Sequence, residues 1–171
     1  MDFAGQDLED LESVVESMKA WPHVDQDRFG IWGSSYGGTL ALYTLLKKPG
    51  LFRAGVAAAT AVDPHFFGTD DVAIVRRPDT HPEIFENTAV RYAQNLEDRL
   101  LLIHGMQDQV VPFKTVAEVA DTLVRKGKDF DTAFVPGATH SWRSEPQYAP
   151  YLFGRLIEYF DRYLAPDQAG D

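Results

Sequence analysis

The sequence predicts an α/β fold, with about four parallel strands covered by helices on both faces. Four short apolar runs recur along the 171 residues. Segments with apolar residues three and four apart separate these runs, which is the spacing of an amphipathic helix. Strands that are apolar throughout and alternate with helices are typical of a parallel sheet buried on both sides.

The first half of the chain reads as helix, strand, helix and strand. Apolar residues at helical spacing predict the first helix, which Pro22 ends; they are Leu8, Leu11, Val14, Val15 and Met18. Residues 29–32 (Phe-Gly-Ile-Trp) predict a short buried strand. Residues 36–48 predict a helix that a Pro-Gly pair closes, and the small apolar residues 54–60 predict the second strand.

The second half continues the alternation after an irregular stretch. Residues 63–86 contain three prolines and no clean period, so we expect irregular structure there. Residues 100–103 (Leu-Leu-Leu-Ile) are the strongest strand signal, and a helix over 113–126 and a strand over 133–135 follow. Apolar spacing also predicts an amphipathic helix at the end of the chain, with Leu152, Leu156, Tyr159, Phe160 and Tyr163 on one side.

Composition fits a single domain over residues 1–171 and argues against several classes of function. A hydrophobic share of 44% is enough for a core, and neither a repeat nor a linker interrupts the chain. A formal net charge of −10 argues against partners such as nucleic acid or an anionic membrane, both of which need a basic surface. Because no long apolar run or leader-like segment is present, the sequence favours a soluble, cytoplasmic protein.

Cofactor chemistry has no support in the sequence. Cysteine is absent, which excludes disulfides, thiolate nucleophiles and cysteine–zinc sites. His23, His65 and His81 share no metal-ligand spacing, and the adjacent Asp70 and Asp71 are more typical of a turn or a helix cap. We therefore expect neither a metal nor a cofactor.

A nucleophile motif lies between the first strand and the second helix. Residues 33–37 read Gly-Ser-Ser-Tyr-Gly, which fits the pattern G-x-S-x-G. On such a turn the central serine, Ser35, projects clear of the sheet, and small neighbours let the helix pass close to the strand. The backbone N–H of Tyr36 points into the same space and can donate to a developing oxyanion. Taken alone, the pentapeptide is equally compatible with an ordinary glycine-rich turn.

An acid and a base follow two later strands. Asp108 lies in the loop after the strand 100–103, and His140 lies in the loop after the strand 133–135. Sites in parallel sheets form at the carboxyl ends of the strands, so we expect all three side chains at one edge. The order Ser, Asp, His along the chain is that of the α/β-hydrolases. The sequence therefore predicts a three-layer α/β-hydrolase fold with Ser35, Asp108 and His140 as its catalytic triad.

Four other side chains near this edge are weaker candidates. His104 ends a core strand, so packing or a bond to the backbone suits it better than a role as general base. Phe66, Phe67 and Trp142 flank the predicted site and are candidates for the lining of a substrate pocket. Aromatic residues of this kind are core residues at least as often.

The longer motifs resemble the prolyl oligopeptidase family of serine peptidases. The resemblance covers nearly the whole chain and rests on residues 24–38 around the serine, 104–112 in the acid loop and 137–140 in the histidine loop. It implies four roles: nucleophile for Ser35, acid for Asp108, general base for His140 and oxyanion donor for the Tyr36 N–H.

The resemblance also implies that the chain is the C-terminal half of the hydrolase domain. By analogy it holds only the fifth to eighth strands, so we expect a truncated fold that lacks the second oxyanion donor and the propeller of that family. The strand that begins at Phe29 and ends at Trp32 would then have an unpaired edge. We expect self-association, or docking on a partner that completes the sheet, unless the first helix covers this edge.

Three functions remain compatible with these observations. The resemblance favours a peptidase that cleaves small peptides through an acyl-enzyme on Ser35. A small esterase or acyl hydrolase would use the same three residues. An inactive remnant would keep them without turnover and act only by association with other chains.

Overall fold

The computed structural model describes residues 5–62 and 88–165, whose strands form one parallel sheet. The strands lie side by side in chain order, and each pairs in parallel with the next. Their bounds are β1 Gly30–Ser34, β2 Ala54–Ala58, β3 Arg99–Gly105 and β4 Asp131–Val135. This arrangement brings the carboxyl ends of all four strands to the same edge of the sheet.

Five helices accompany the sheet in the described ranges. They are α1 Gly5–Lys19, α2 Tyr36–Lys47, α3 Ala89–Tyr92, α4 Phe113–Arg125 and α5 Ala149–Leu164. Parallel neighbours need a crossover connection, which α2 provides between β1 and β2 and α4 provides between β3 and β4. Short 3₁₀ turns lie at Ala93–Asn95 and Trp142–Ser144. None of the helices described here has the length and the apolar character needed to cross a membrane.

Side chains that alternate along β3 build the two halves of the core. Leu100 and Leu102 face a cluster formed with α1, α2, α3 and α4. Leu101 and Ile103 face a second cluster formed with α5. Because successive side chains of a strand point to opposite faces, the apolar run of β3 is buried on both sides. The prediction of an α/β fold with about four parallel strands and helices on both faces is confirmed.

The predicted elements differ from the observed ones mainly at their ends. The first strand lies slightly later than predicted, at Gly30–Ser34, and the second ends earlier, at Ala58. Helix α3 and the two 3₁₀ turns were not predicted, because three or four residues are too few to show a helical period. The predicted irregular stretch 63–86 lies outside the described residues.

Strand β1 lies at the edge of the sheet and, among the described residues, pairs only with β2. Helix α1 does not run along this edge, because its buried residues Leu8 and Val15 pack into the cluster with α2 on one face. Trp32 in β1 is 43% exposed. The alternative in which α1 covers the strand edge is therefore not the arrangement observed.

Candidate active site

Ser35 occupies the turn between β1 and α2 in a backbone conformation that non-glycine residues rarely adopt. Its φ is 61° and its ψ is −125°. The turn is also tight, because a Cβ on Gly33 would lie 2.2 Å from the Gly37 oxygen. A Cβ on Gly38 would lie 2.3 Å from the Ala58 oxygen. Only glycine fits at these two positions without a shift of the backbone, in agreement with the sequence motif.

Side chains from three loops form one hydrogen-bonded series. The Ser35 Oγ lies 3.0 Å from Nε2 of His140, and Nδ1 of His140 lies 2.7 Å from Oδ2 of Asp108. An ionised carboxylate can only accept, so the proton of the neutral imidazole is on Nδ1. The lone pair of Nε2 then faces the serine hydroxyl. This is the tautomer in which a histidine can take a proton from serine.

Backbone donors hold the other oxygen of the acid. Oδ1 of Asp108 accepts hydrogen bonds from the N–H groups of Val110, at 2.9 Å, and Val111, at 2.8 Å. The Asp108 side chain has no exposed surface, whereas the side chain of His140 is 19% exposed. These two bonds, with the one from His140, offset the cost of burying a carboxylate. The acid is thus fixed in position beneath an imidazole that reaches the surface.

The loops that carry the acid and the base are bonded to each other. The N–H of Met106 donates to the carbonyl of Val135 at 2.9 Å, and the N–H of Gln107 donates to the carbonyl of Ala138 at 3.0 Å. These bonds extend the pairing of β3 with β4 beyond the ends of the strands. The separation of the two side chains is therefore set by the backbone.

Glu145 fixes the residue directly before the histidine. Its Oε1 accepts hydrogen bonds from the Thr139 N–H, at 3.1 Å, and from the Thr139 hydroxyl. The Thr139 Oγ1 in turn accepts from the N–H of Ser141 at 3.2 Å. The backbone is thus held on both sides of His140. Sequence reasoning missed Glu145, because its distance of five residues from the histidine matches none of the motifs found in the sequence.

Tyr36 joins the nucleophile turn to the first helix. Its N–H is at the first position of α2 and has no acceptor within the helix, so it can serve as the predicted oxyanion donor. Its hydroxyl donates to Oδ2 of Asp7 at 2.7 Å. Burial, together with the Asp7 carboxylate, raises the pKa of Tyr36, so the phenol stays protonated. Asp7 was not predicted, since nothing in the sequence links it to the turn.

The pocket prediction is wrong for Trp142. Its side chain is fully buried and packs against Phe153, with ring centroids 5.4 Å apart, in the cluster beneath α5. The indole therefore supports the histidine loop from the core and lines no surface pocket. Phe66 and Phe67 lie outside the described residues.

Of the five residues considered for a metal or paired-carboxylate site, only His23 lies within the described residues. His65, His81, Asp70 and Asp71 lie outside the described residues, and His23 is exposed beside Trp21. Within the described ranges, no three His, Asp or Glu side chains come together as they would around a metal ion.

Comparison with known proteins identifies relatives along almost the whole chain. A sequence model described as the prolyl oligopeptidase family matches residues 2–167. The chain is 27% identical to the uncharacterized peptidase YuxL of Bacillus subtilis, over 95% of the chain and 26% of that protein. It is 29% identical to dipeptidyl peptidase 8 of Homo sapiens, over 91% of the chain and 18% of that protein.

Solved structures share the fold. The dipeptidyl peptidase 4 of Porphyromonas gingivalis superposes with a TM-score of 0.88 and 26% identity, over 96% of this chain and 24% of that one. An acylaminoacyl peptidase of Pyrococcus horikoshii superposes with a TM-score of 0.81 over 96% of this chain and 29% of that one, and its 24% identity supports the fold alone.

The sequence and structure comparisons agree on the fold and on the part of the relatives that this chain matches. The chain spans about a quarter or less of the length of the curated relatives it matches. Its sheet and helices are a part of an α/β-hydrolase fold, as predicted. Because the family match covers all but a few residues, the chain belongs to the prolyl oligopeptidase family.

Proposed function

We propose that this chain supplies the nucleophile, base and acid of a serine peptidase. The observation that carries the proposal is the series from Ser35 Oγ through His140 to the fully buried Asp108, with contacts of 3.0 and 2.7 Å. The family match and the peptidase names of the relatives agree with it. Such a series makes a weakly nucleophilic hydroxyl reactive, because a base is within hydrogen-bond reach and is itself oriented by a third group.

The residues divide the reaction into acylation and deacylation. His140 takes the Ser35 proton on Nε2 while Oγ attacks the carbonyl carbon of the substrate, and Asp108 stabilises the resulting imidazolium. The N–H of Tyr36 donates to the oxyanion that forms. When the intermediate collapses, His140 returns the proton to the leaving amine or alcohol, and the acyl group stays on Ser35. Water then attacks the ester with His140 again as base, which regenerates the serine.

Ester hydrolysis is the second candidate, and the oxyanion geometry favours it for the chain by itself. Tyr36 provides the oxyanion donor that we identify among the described residues. Removing one donor from an oxyanion hole typically costs about 10²–10³ in rate. An amide has the larger barrier, so a site with one donor should cleave an activated ester and be slow on a peptide.

The test is covalent labelling of the serine by a fluorophosphonate, read by mass spectrometry. Ser35→Ala should abolish labelling. Ser34→Ala is the matched control, because Ser34 lies in the same motif but its hydroxyl is buried and has no hydrogen-bond partner in the part of the chain described. Undiminished labelling of Ser35→Ala would mean that another residue is the nucleophile. Absence of labelling in both the unmodified chain and Ser34→Ala would favour an inactive chain.

A comparison of two substrates then separates the peptidase from the esterase. Turnover of a p-nitrophenyl ester and of a peptide p-nitroanilide is measured with the same preparation. Turnover of both supports the peptidase, and turnover of the ester alone supports the second candidate.

A further inference from the structure

His104 is a fully buried histidine that the proposed reaction does not use. It lies near the end of β3, on the face covered by α4, and its ring packs edge-on against Phe113 with centroids 5.9 Å apart. Its Nδ1 is buried and has no hydrogen-bond partner in the part of the chain described. A buried acceptor without a partner costs stability that an aliphatic residue would not cost. Packing therefore does not account for a histidine at this position.

The other ring nitrogen lies beside the acid. Nε2 of His104 is 3.0 Å from the carbonyl oxygen of Val111 and 3.5 Å from Oδ2 of Asp108. A carbonyl and a carboxylate only accept, so Nε2 carries the proton. Burial lowers the pKa of His104, although the Val111 carbonyl and Asp108 oppose the shift and His140 adds to it. The imidazole is thus neutral, with one N–H directed at these two oxygens.

The Nε2–H of His104 contacts the acid in two ways, one direct and one through Val111. It faces Oδ2, the same oxygen that accepts the hydrogen bond from the Nδ1–H of His140. It also holds the carbonyl of Val111, and the N–H of Val111 bonds Oδ1 of Asp108. The side chain of His104 therefore links the end of β3 to Val111, the residue whose N–H holds the carboxylate of Asp108.

We propose that His104 is a positioning residue for Asp108. Its Nε2–H anchors the Val111 carbonyl, faces Oδ2 and thereby fixes the carboxylate that orients His140. The effect on catalysis rests on the proposed function, whereas the effect on the geometry of the hydrogen-bonded series does not. A structural role alone would affect stability and leave the hydrogen bond between His140 and Asp108 unchanged.

Two variants whose side chains have similar lengths distinguish the effect of the N–H from the effect of the volume of the ring. His104→Gln places an amide N–H near the position of Nε2, and His104→Met fills the space without a donor. Thr122→Val is the control, because it removes a different buried donor, a hydroxyl that bonds the carbonyl of Glu118 within α4. Circular dichroism and thermal melting identify the variants that keep the fold.

The first readout does not need catalysis. In protein labelled with ¹⁵N-histidine, the downfield proton resonance of His140 Nδ1–H reports its bond to Asp108. We expect this resonance to broaden or disappear in His104→Met and to persist in His104→Gln and Thr122→Val. The second readout is inactivation by a fluorophosphonate, in which the maximal rate should fall roughly tenfold in His104→Met, with the inhibitor constant unchanged.

Clear results would overturn the inference. An unchanged His140 resonance in folded His104→Met would show that the N–H is not needed, and equal losses in the Gln and Met variants would assign the effect to ring packing. If His104→Met does not fold, the ¹⁵N shifts of the unmodified chain decide, because an Nδ1–H tautomer at His104 contradicts the proposal. Failure of the unmodified chain to label at Ser35 would count against the proposed function only.

Discussion

At the scale of single residues, the site depends on a buried carboxylate that is surrounded by donors. Asp108 has no exposed side-chain surface, and its two oxygens accept hydrogen bonds from Val110, Val111 and His140. A buried carboxylate is costly unless it is paired and hydrogen-bonded, so these donors offset the cost of burying the acid. The other nitrogen of the partly exposed His140 lies beside the Ser35 hydroxyl.

Asp108→Asn should leave the fold intact and greatly reduce the reactivity of Ser35. The amide oxygen can still accept from the N–H groups of Val110 and Val111, but its NH₂ group then faces His140 Nδ1. This favours the tautomer with the proton on Nε2, so the base can no longer accept from serine, and the labelling rate should fall by about 10⁴.

Fluorophosphonate labelling kinetics measure this effect. Asp129→Asn is the control for loss of one negative charge, because Asp129 is 86% exposed in its ion pair with Arg99. A labelling rate for Asp108→Asn within a factor of two of the control would contradict the assigned role of the acid.

His104 should make the free energy of unfolding depend on pH. Burial lowers its pKa below the ordinary value near 6.5, so the unfolded chain binds a proton at a higher pH than the folded chain does. Stability should therefore fall as pH drops below about 6.5 towards the lower pKa of the folded state, and it should be unaffected by this group at higher pH.

Denaturation by urea across this range, compared between the unmodified chain and His104→Gln, isolates the contribution. Other groups, such as the half-buried Asp98, titrate in both proteins and cancel in the difference. If the free energy of unfolding changed with pH in the same way in both proteins, the prediction for His104 would be wrong.

At the scale of elements, the site exists because α2 begins against the ends of β1 and β2. The helix starts at Tyr36, one residue after the nucleophile, and Gly38 lets its backbone approach the Ala58 carbonyl of β2. The N–H of Ser35 also donates to this carbonyl at 2.9 Å. Close contact between helix and strand thus holds the strained turn and directs the serine towards His140.

Gly38→Ala should destabilise the chain, whereas Gly37→Ala should not. Both glycines lie in the first turn of α2, where alanine is favoured by about 1 kcal/mol on helix propensity. A Cβ on Gly38 would meet the Ala58 oxygen at 2.3 Å, whereas a Cβ on Gly37 has nothing within 4 Å. Overpacking of this kind typically costs about 1–3 kcal/mol, and the cost should exceed the gain in propensity.

Chemical denaturation of the two variants measures the difference directly. We expect opposite signs for their effects on the free energy of unfolding. Equal stability of the two variants would mean that α2 does not approach β2 as closely as described.

At the scale of the whole molecule, the sheet has an open edge at β1. The backbone groups on one side of β1 have no strand partner among the described residues, and Trp32 in this strand is 43% exposed. An exposed strand edge with apolar side chains is a template for pairing with another strand. The two relatives are at least about four times as long as this chain. Additional strands at this edge are therefore compatible with the family.

We expect the chain, when it is prepared by itself, to associate through this edge. Light scattering across a dilution series should show a mass that rises with concentration. Trp32→Lys should shift the equilibrium towards the monomer, because a lysine on an edge strand disfavours pairing. Trp21→Lys is the control, since Trp21 is 51% exposed but lies outside the sheet. A monodisperse monomer at every concentration would contradict this expectation.

The sequence by itself determined the elements and the order of the chemical groups. Apolar period and turn residues are local properties, and they predicted the strands, the four long helices and the edge at which Ser35, Asp108 and His140 meet. The motif around Ser35 predicted both the tight turn and the close approach of the helix. These predictions succeeded because each depends on residues within one short segment, or on the general rule that parallel strands end at one edge.

Only the tertiary structure decided which other residues support the site. Asp7 reaches Tyr36, and His104 reaches both Val111 and Asp108, through contacts that no spacing in the sequence indicates. Trp142 is a core residue because α5 covers it, although its position beside the histidine suggested a pocket. Such contacts depend on how separate elements pack and on which atoms are then buried. A one-dimensional pattern does not contain that information.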